Sequence, residues 1–174
     1  MLLKKFIRAK KLNLNHGSWG DDKLRSKDFP LSKKGGKTYP LTRQWRWRIT
    51  TLEAEGRKFR LMTTYHKVVP EFCAVLAEDL NKDSRIIARL EFHATHDGWH
   101  AHPYCGDFDI VLSGITKPLG TRRIPREGAF HRHDEMLRDG KPMSDAHAGA
   151  VVSSAFNLGE SIDIFSVEYL PWKV

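Results

Sequence analysis

The chain has 174 residues, a formal charge of +8, a pI near 9.6 and 40% hydrophobic residues, enough for one domain with a modest core. No window approaches the roughly 20 apolar residues of a membrane span, and Met1-Leu-Leu-Lys-Lys-Phe-Ile-Arg8 lacks the uninterrupted apolar stretch of a secretory signal. The two cysteines, Cys73 and Cys105, do not make a disulfide framework, so the expected setting is cytoplasmic, with no membrane partner.

The charge is uneven. Residues 1–44 carry twelve Lys and Arg against three Asp, which leaves the rest of the chain nearly neutral. Residues 1–44 are therefore read as a basic N-terminal arm and residues 45–174 as a single α+β domain. A short basic strand or helix is expected over 1–12, followed by an irregular stretch over 13–44. Lys4, Lys5, Arg8, Lys33 and Lys34 are the arm's candidate phosphate contacts. Such cations raise affinity and association rate for a nucleic acid, DNA or RNA, without specifying sequence.

From Trp45 the pattern changes. Trp45-Arg-Trp-Arg48 alternates apolar with basic, as a half-buried strand does. Glu55-Gly56 turns the chain into Lys58–His66, and the two strands make a hairpin. Arg46 and Arg48 are further candidate phosphate contacts; Trp45 and Trp47 share the other face, either in the core or stacked on bases. Pro70 suits the first turn of a helix, and Phe72, Val75, Leu76 and Leu80 repeat at helical spacing, with Cys73 on its apolar side.

A strand from Ser84 leads into a histidine-rich hairpin over 85–105. Phe108–Leu112 reads as a further strand and residues 113–143 as a long loop holding Arg122, Arg123 and the cluster His131-Arg-His-Asp-Glu135. Ser144 is a good N-cap for a helix to about Asn157, with Ala148, Val151, Val152, Ala155 and Phe156 as its buried stripe and Gly159 ending it. Ser161–Leu170 reads as a last strand. The expected fold is α+β: a mainly antiparallel sheet with two packed helices and the basic arm.

The segment 91–105 holds His93, His96, His100 and His102, four of nine histidines. Asp97-Gly98 suits a two-residue type I′ turn. That register opposes His93 to His102 and Glu91 to Tyr104. It puts Glu91, His93, Thr95, His100, His102 and Tyr104 on one face. Leu90, Phe92, Ala94, Trp99, Ala101 and Cys105 lie on the other, with His96 beside Trp99 as a structural group. Histidines two apart on a strand project the same way and can grip a divalent ion, Mg, Mn or Zn, if a neighbouring strand adds a ligand such as Glu91 or His93. Without a metal, His93 with His100 or His102, near Arg89, is a general base and acid pair suited to RNA cleavage. A solvated hairpin, or a nucleic-acid-binding protein with a structural metal, needs no catalysis. Tyr65 and Tyr104 are further candidate nucleophiles or acids.

Gly98-Trp99-His100-Ala101-His102, with Glu91 seven residues before the glycine, resembles the core motif of HUH-type plasmid replication initiators. The resemblance covers about 20 of 174 residues. It implies a nuclease in which His100 and His102, with Glu91 or His93, hold Mg²⁺ or Mn²⁺ against a scissile phosphate attacked by a tyrosine. In that family the tyrosine sits on a downstream helix, whereas the helix expected after Ser144 contains none; Tyr169 follows, in an expected strand. Tyr104 stands where relatives commonly have a further histidine. His100-Ala-His-Pro103 is also similar to the His-x-His-Pro of JAMM-type metalloisopeptidases, but Thr116 stands where that pattern puts an aspartate after Ser113. The sequence-level expectation is a nucleic-acid phosphodiesterase acting alone or with a protein partner in a larger system.

Overall fold

The computed structural model describes residues 1–93, 99–104, 106–115 and 142–159, and residues 122–123 as backbone. Among the described residues, seven antiparallel strands form one meander in which every strand pairs with its sequence neighbour. They are β1 Leu12–His16, β2 Trp45–Ala54, β3 Arg57–His66, β4 Phe72–Asp79, β5 Ser84–Phe92, β6 Trp99–Pro103 and β7 Arg122–Arg123. Two α-helices among the described residues accompany them, α1 Leu3–Arg8 and α2 Asp145–Phe156.

The β2–β3 hairpin closes as its sequence suggests. Glu55 and Gly56 have φ of 53° and 70°, the left-handed pair of a type I′ turn, and Ala54 directly opposes Arg57. Helix α2 starts where Ser144 accepts a hydrogen bond from the His147 amide, and all five residues of its expected stripe are buried. It ends at Asn157, left-handed at φ 51°, two residues ahead of Gly159.

Three expectations are corrected. Residues 72–79 form strand β4, not a helix. Phe72-Cys-Ala-Val-Leu-Ala77 is buried on nearly every side chain, and a strand covered on both faces has no alternation to set it apart from a helix. Phe108–Ile110 is a turn of 3-10 helix rather than a strand. Residues 1–44 are held against the domain: β1 pairs with β2, α1 buries Leu3, Phe6 and Ile7, and the following irregular segment buries Leu24, Phe29 and Leu31. Gly20 lets that segment approach, since a Cβ there would stand 2.8 Å from the Trp47 ring. The Asp97-Gly98 turn, Thr95, His96, Cys105, the cluster at 131–135 and the strand at 161–170 lie outside the described residues.

Alternate residues of each strand feed two cores. On one face, α1 and α2 cover Leu52, Phe59, Leu61, Phe72, Leu90 and Trp99. On the other, Leu24, Phe29 and Leu31 cover Met62, Val75, Ala77 and Ile86. The histidine-bearing strand β6 lies between β5 and the short β7.

Candidate metal centre

Strand β5 decides which side chains reach the second face. Leu76 pairs with Ala88 but Ala77 with Ile86, so Ile87 is an extra residue, a β-bulge. Strict alternation from Ile86 would send Arg89 and Glu91 to the helix-covered face. The bulge reverses the phase, so that Ala88 and Leu90 enter the helix-side core while Arg89 and Glu91 face the other way. Bulges commonly re-aim a side chain in this manner beside a site.

Across the sheet, Glu91 opposes His100 and Arg89 opposes His102. The Asp97-Gly98 register had placed His93 opposite His102, four residues further along. A shift by an even number keeps every side chain on its face, so the shared face of Glu91, His100 and His102 survives although their partners change.

The three side chains converge. Glu91 Oε2 lies 3.1 Å from His102 Nε2 and 3.3 Å from His100 Nε2, and one ligand atom from each residue lies within 4.8 Å of the others. An ion bound at about 2.1 Å holds neighbouring ligands roughly 3.0–3.4 Å apart, so these separations fit a single divalent ion. His93 is adjacent but turned to the other oxygen: its Nε2 is 3.6 Å from Glu91 Oε1, and its ring centroid is 5.2 Å from that of His100. Arg89 forms an ion pair with Glu91 Oε1.

Glu91 is only 5% exposed. Burial opposes its charge, yet Arg89 and then His93, His102 and His100 hold its carboxyl below the ordinary glutamate value. A carboxylate kept ionised at the bottom of a half-buried imidazole cluster has the character of a cation ligand. Cys73, directly opposite Glu91 on β4, is a half-buried thiol that burial raises to about 11, with Arg89 pulling the other way. It is therefore a protonated neighbour at neutral pH. No sequence pattern pointed to it, because the residues around it read as a helix.

Tyr65 is corrected. It lies on the helix-covered face, 4% exposed, and its hydroxyl donates to Asp145 at 2.6 Å. Burial and then Asp145 push its pKa to about 12. Tyr104 packs half-buried against the helix-side core. Arg46 also points to the helix side, bonded to Asp145 at 2.6 Å, and Arg48 sits 4.6 Å over the Trp19 ring. Lys4, Lys5 and Arg8 are exposed on α1, Lys5 paired with Glu55. Lys33 is exposed and Lys34 half-buried on the segment that covers the second face. Arg123 opposes His100 in the β6–β7 register, and Arg122 opposes Ala101.

His66, outside this group, shows what a structural histidine looks like here. Its Nδ1 accepts from the amides of Val68 and Val69 and its Nε2 meets Gln44 Oε1 at 3.1 Å, so both ring nitrogens are engaged in holding a loop. Compared with protein-family models, curated proteins and solved structures, the chain matches none.

Proposed function

We propose that this protein cleaves nucleic-acid phosphodiesters with a divalent ion, Mg, Mn or Zn, held by Glu91, His100 and His102. The observation that carries the reading is the approach of both imidazole Nε2 atoms to one carboxylate oxygen, at 3.1 and 3.3 Å. An ion bound there would supply charge neutralisation at a phosphate oxygen and acidify a bound water. Arg89 keeps Glu91 ionised and oriented from the side away from His100 and His102. His93, beside Glu91 Oε1, is the group on hand to take or give a proton. Lys33 and Lys34 supply sequence-independent attraction for the phosphate backbone. With Tyr65 engaged on the opposite face, water is the nucleophile.

The test is metal analysis of protein purified without a histidine tag, together with cleavage assays on single-stranded DNA, duplex DNA and RNA. The expected result is one bound ion per chain, cleavage of at least one substrate, and loss of both on chelation. Absence of both metal and cleavage sinks the proposal. A second reading, a metal-independent ribonuclease, is favoured by the adjacent His93 and His100 rings, tilted by 32°; cleavage of RNA that persists in EDTA selects it. An ion that binds without any cleavage selects a nucleic-acid-binding protein with a structural metal.

A further inference from the structure

Beside Glu91 the second face opens into a groove of about 580 Å³, within the roughly 300–1,000 Å³ typical of small-molecule sites. Its floor includes Met62, Val75 and Ile86, and its wall includes Leu31, Tyr39 and Leu41. The covering segment packs tightly through Leu24, Phe29 and Leu31, then lifts away: Tyr39 and Leu41 are only half-buried and Pro40 is exposed. Arg89, Glu91 and His93 form one polar end, and Lys34 also lines the groove.

We propose that this groove binds a small amphipathic carboxylate, an apolar or aryl body with one anionic head, whose head meets Arg89. The lining carries the first half. It is mainly apolar and aromatic, so it rewards burial of a body that asks for few hydrogen bonds. A nucleobase would bury its ring nitrogens and carbonyls there with few partners to satisfy them. The second half rests on Arg89. One edge of its guanidinium is paired with Glu91, while the side chain as a whole keeps 22% exposure and lines the groove. A guanidinium carries five N–H donors in a fixed fork, so donors not spent on Glu91 can meet an anionic oxygen entering along the groove. Charge agrees: Arg89 balances Glu91, and Lys34 lines the groove while Lys33 and Lys37 are exposed on the same covering segment, which leaves this end net positive.

This site stands whether or not the chain cleaves phosphodiesters, so its test is a binding measurement made in EDTA. The full chain is labelled at its methionine methyls, four in number, with the Met62 signal assigned through Met62→Leu. Para-butylbenzoate, its neutral analogue para-butylbenzyl alcohol, and thymidine monophosphate are titrated separately. The expected result is a saturable shift of the Met62 methyl by the carboxylate, with the alcohol weaker by about tenfold or more, as the loss of a charged hydrogen bond implies. Val75→Trp, which fills the floor, is expected to weaken carboxylate binding by a similar factor while the protein still melts cooperatively. No Met62 shift, an alcohol or nucleotide that binds as tightly as the carboxylate, or a folded Val75→Trp with unchanged affinity overturns the proposal. The comparison of carboxylate with alcohol uses the unsubstituted protein, so it decides the matter even if Val75→Trp does not fold.

Discussion

The two faces of the sheet are made from alternate residues of the same strands and are filled in opposite ways. The helix-covered face buries Phe6, Phe59, Phe72, Trp99 and Phe156 completely or nearly so. Among its polar groups, Arg46 and Tyr65 bond Asp145 and Arg57 bonds Glu78. The opposite face has a smaller cluster around Phe29, Met62 and Ile86, and beyond it lie a groove and a carboxylate ringed by Arg89 and three histidines. One face is filled by a tightly packed core, and the proposed chemistry lies on the other. What separates them is strand alternation, with the Ile87 bulge setting the phase at the decisive place.

The largest expected effect therefore belongs to the helix-covered face. Trp99 is 1% exposed, with its ring 5.3 Å from those of both Phe72 and Phe92. Trp99→Ala should cost about 3–5 kcal/mol, read by denaturant unfolding. Because Trp99 precedes His100 on β6, metal binding should fall in parallel with the folded fraction. A stable variant with intact metal binding would show that the two faces are not coupled through β6.

Next in size is His102→Ala. It removes a proposed ligand from β6 while leaving the helix-side core untouched. Metal affinity and cleavage should fall by more than the roughly 10–100-fold that losing an outer-shell partner costs, with the unfolding midpoint measured in EDTA close to that of the parent protein. Calorimetric titration with Mn²⁺ and Zn²⁺ reads the first effect. Unchanged affinity would mean that Glu91, His100 and His102 converge for structural reasons, as the ring nitrogens of His66 do.

This division of labour was partly legible in the sequence. The β2–β3 hairpin was readable because Glu55-Gly56 and strict alternation leave one solution, and α2 because Ser144 and a clean apolar stripe do the same. The shared face of Glu91, His100 and His102 was readable because any even slip preserves it. Strand β4 was not, since burial on both faces erased its period. The Ile87 bulge was not, since nothing in Ile86-Ile-Ala88 marks an extra residue. Tyr65 was misplaced for a different reason. Its own strand assigns it a face, but only the packing of α2 reveals which face the helices cover. The groove depends on where residues 29–41 cross the sheet, a long-range fact with no local signature.

Tyr65→Phe gives a smaller and more discriminating effect. It deletes the bond to Asp145 and should cost about 1 kcal/mol of stability, seen as a modest fall in melting temperature. Cleavage per folded molecule should not change, because the hydroxyl stands on the face away from Glu91. A collapse of activity in a stably folded Tyr65→Phe would restore this tyrosine as a catalytic residue and break the assignment of chemistry to one face.

The smallest effect concerns pH. Arg46 bonds Asp145 and, against the opposing effect of burial, lowers its pKa below the ordinary 3.8, with Tyr65 adding to the shift. A carboxyl whose pKa is lower folded than unfolded contributes stability that is full above its unfolded value and is lost as pH falls through its folded value. The window is thus below about pH 4. The Asp145 side chain is 39% exposed, so solvent screening keeps the contribution below about 1 kcal/mol. Asp145→Asn should lower the melting temperature slightly at pH 7 and converge on the parent protein as the solution is acidified. The same substitution should leave Mn²⁺ affinity at pH 7 unaltered, because the ion-pair network it disturbs is walled off from Glu91 by the sheet itself. A variant that instead lost metal affinity without unfolding would show that the two faces communicate through β3 and β4, and the separation argued from strand alternation would fail.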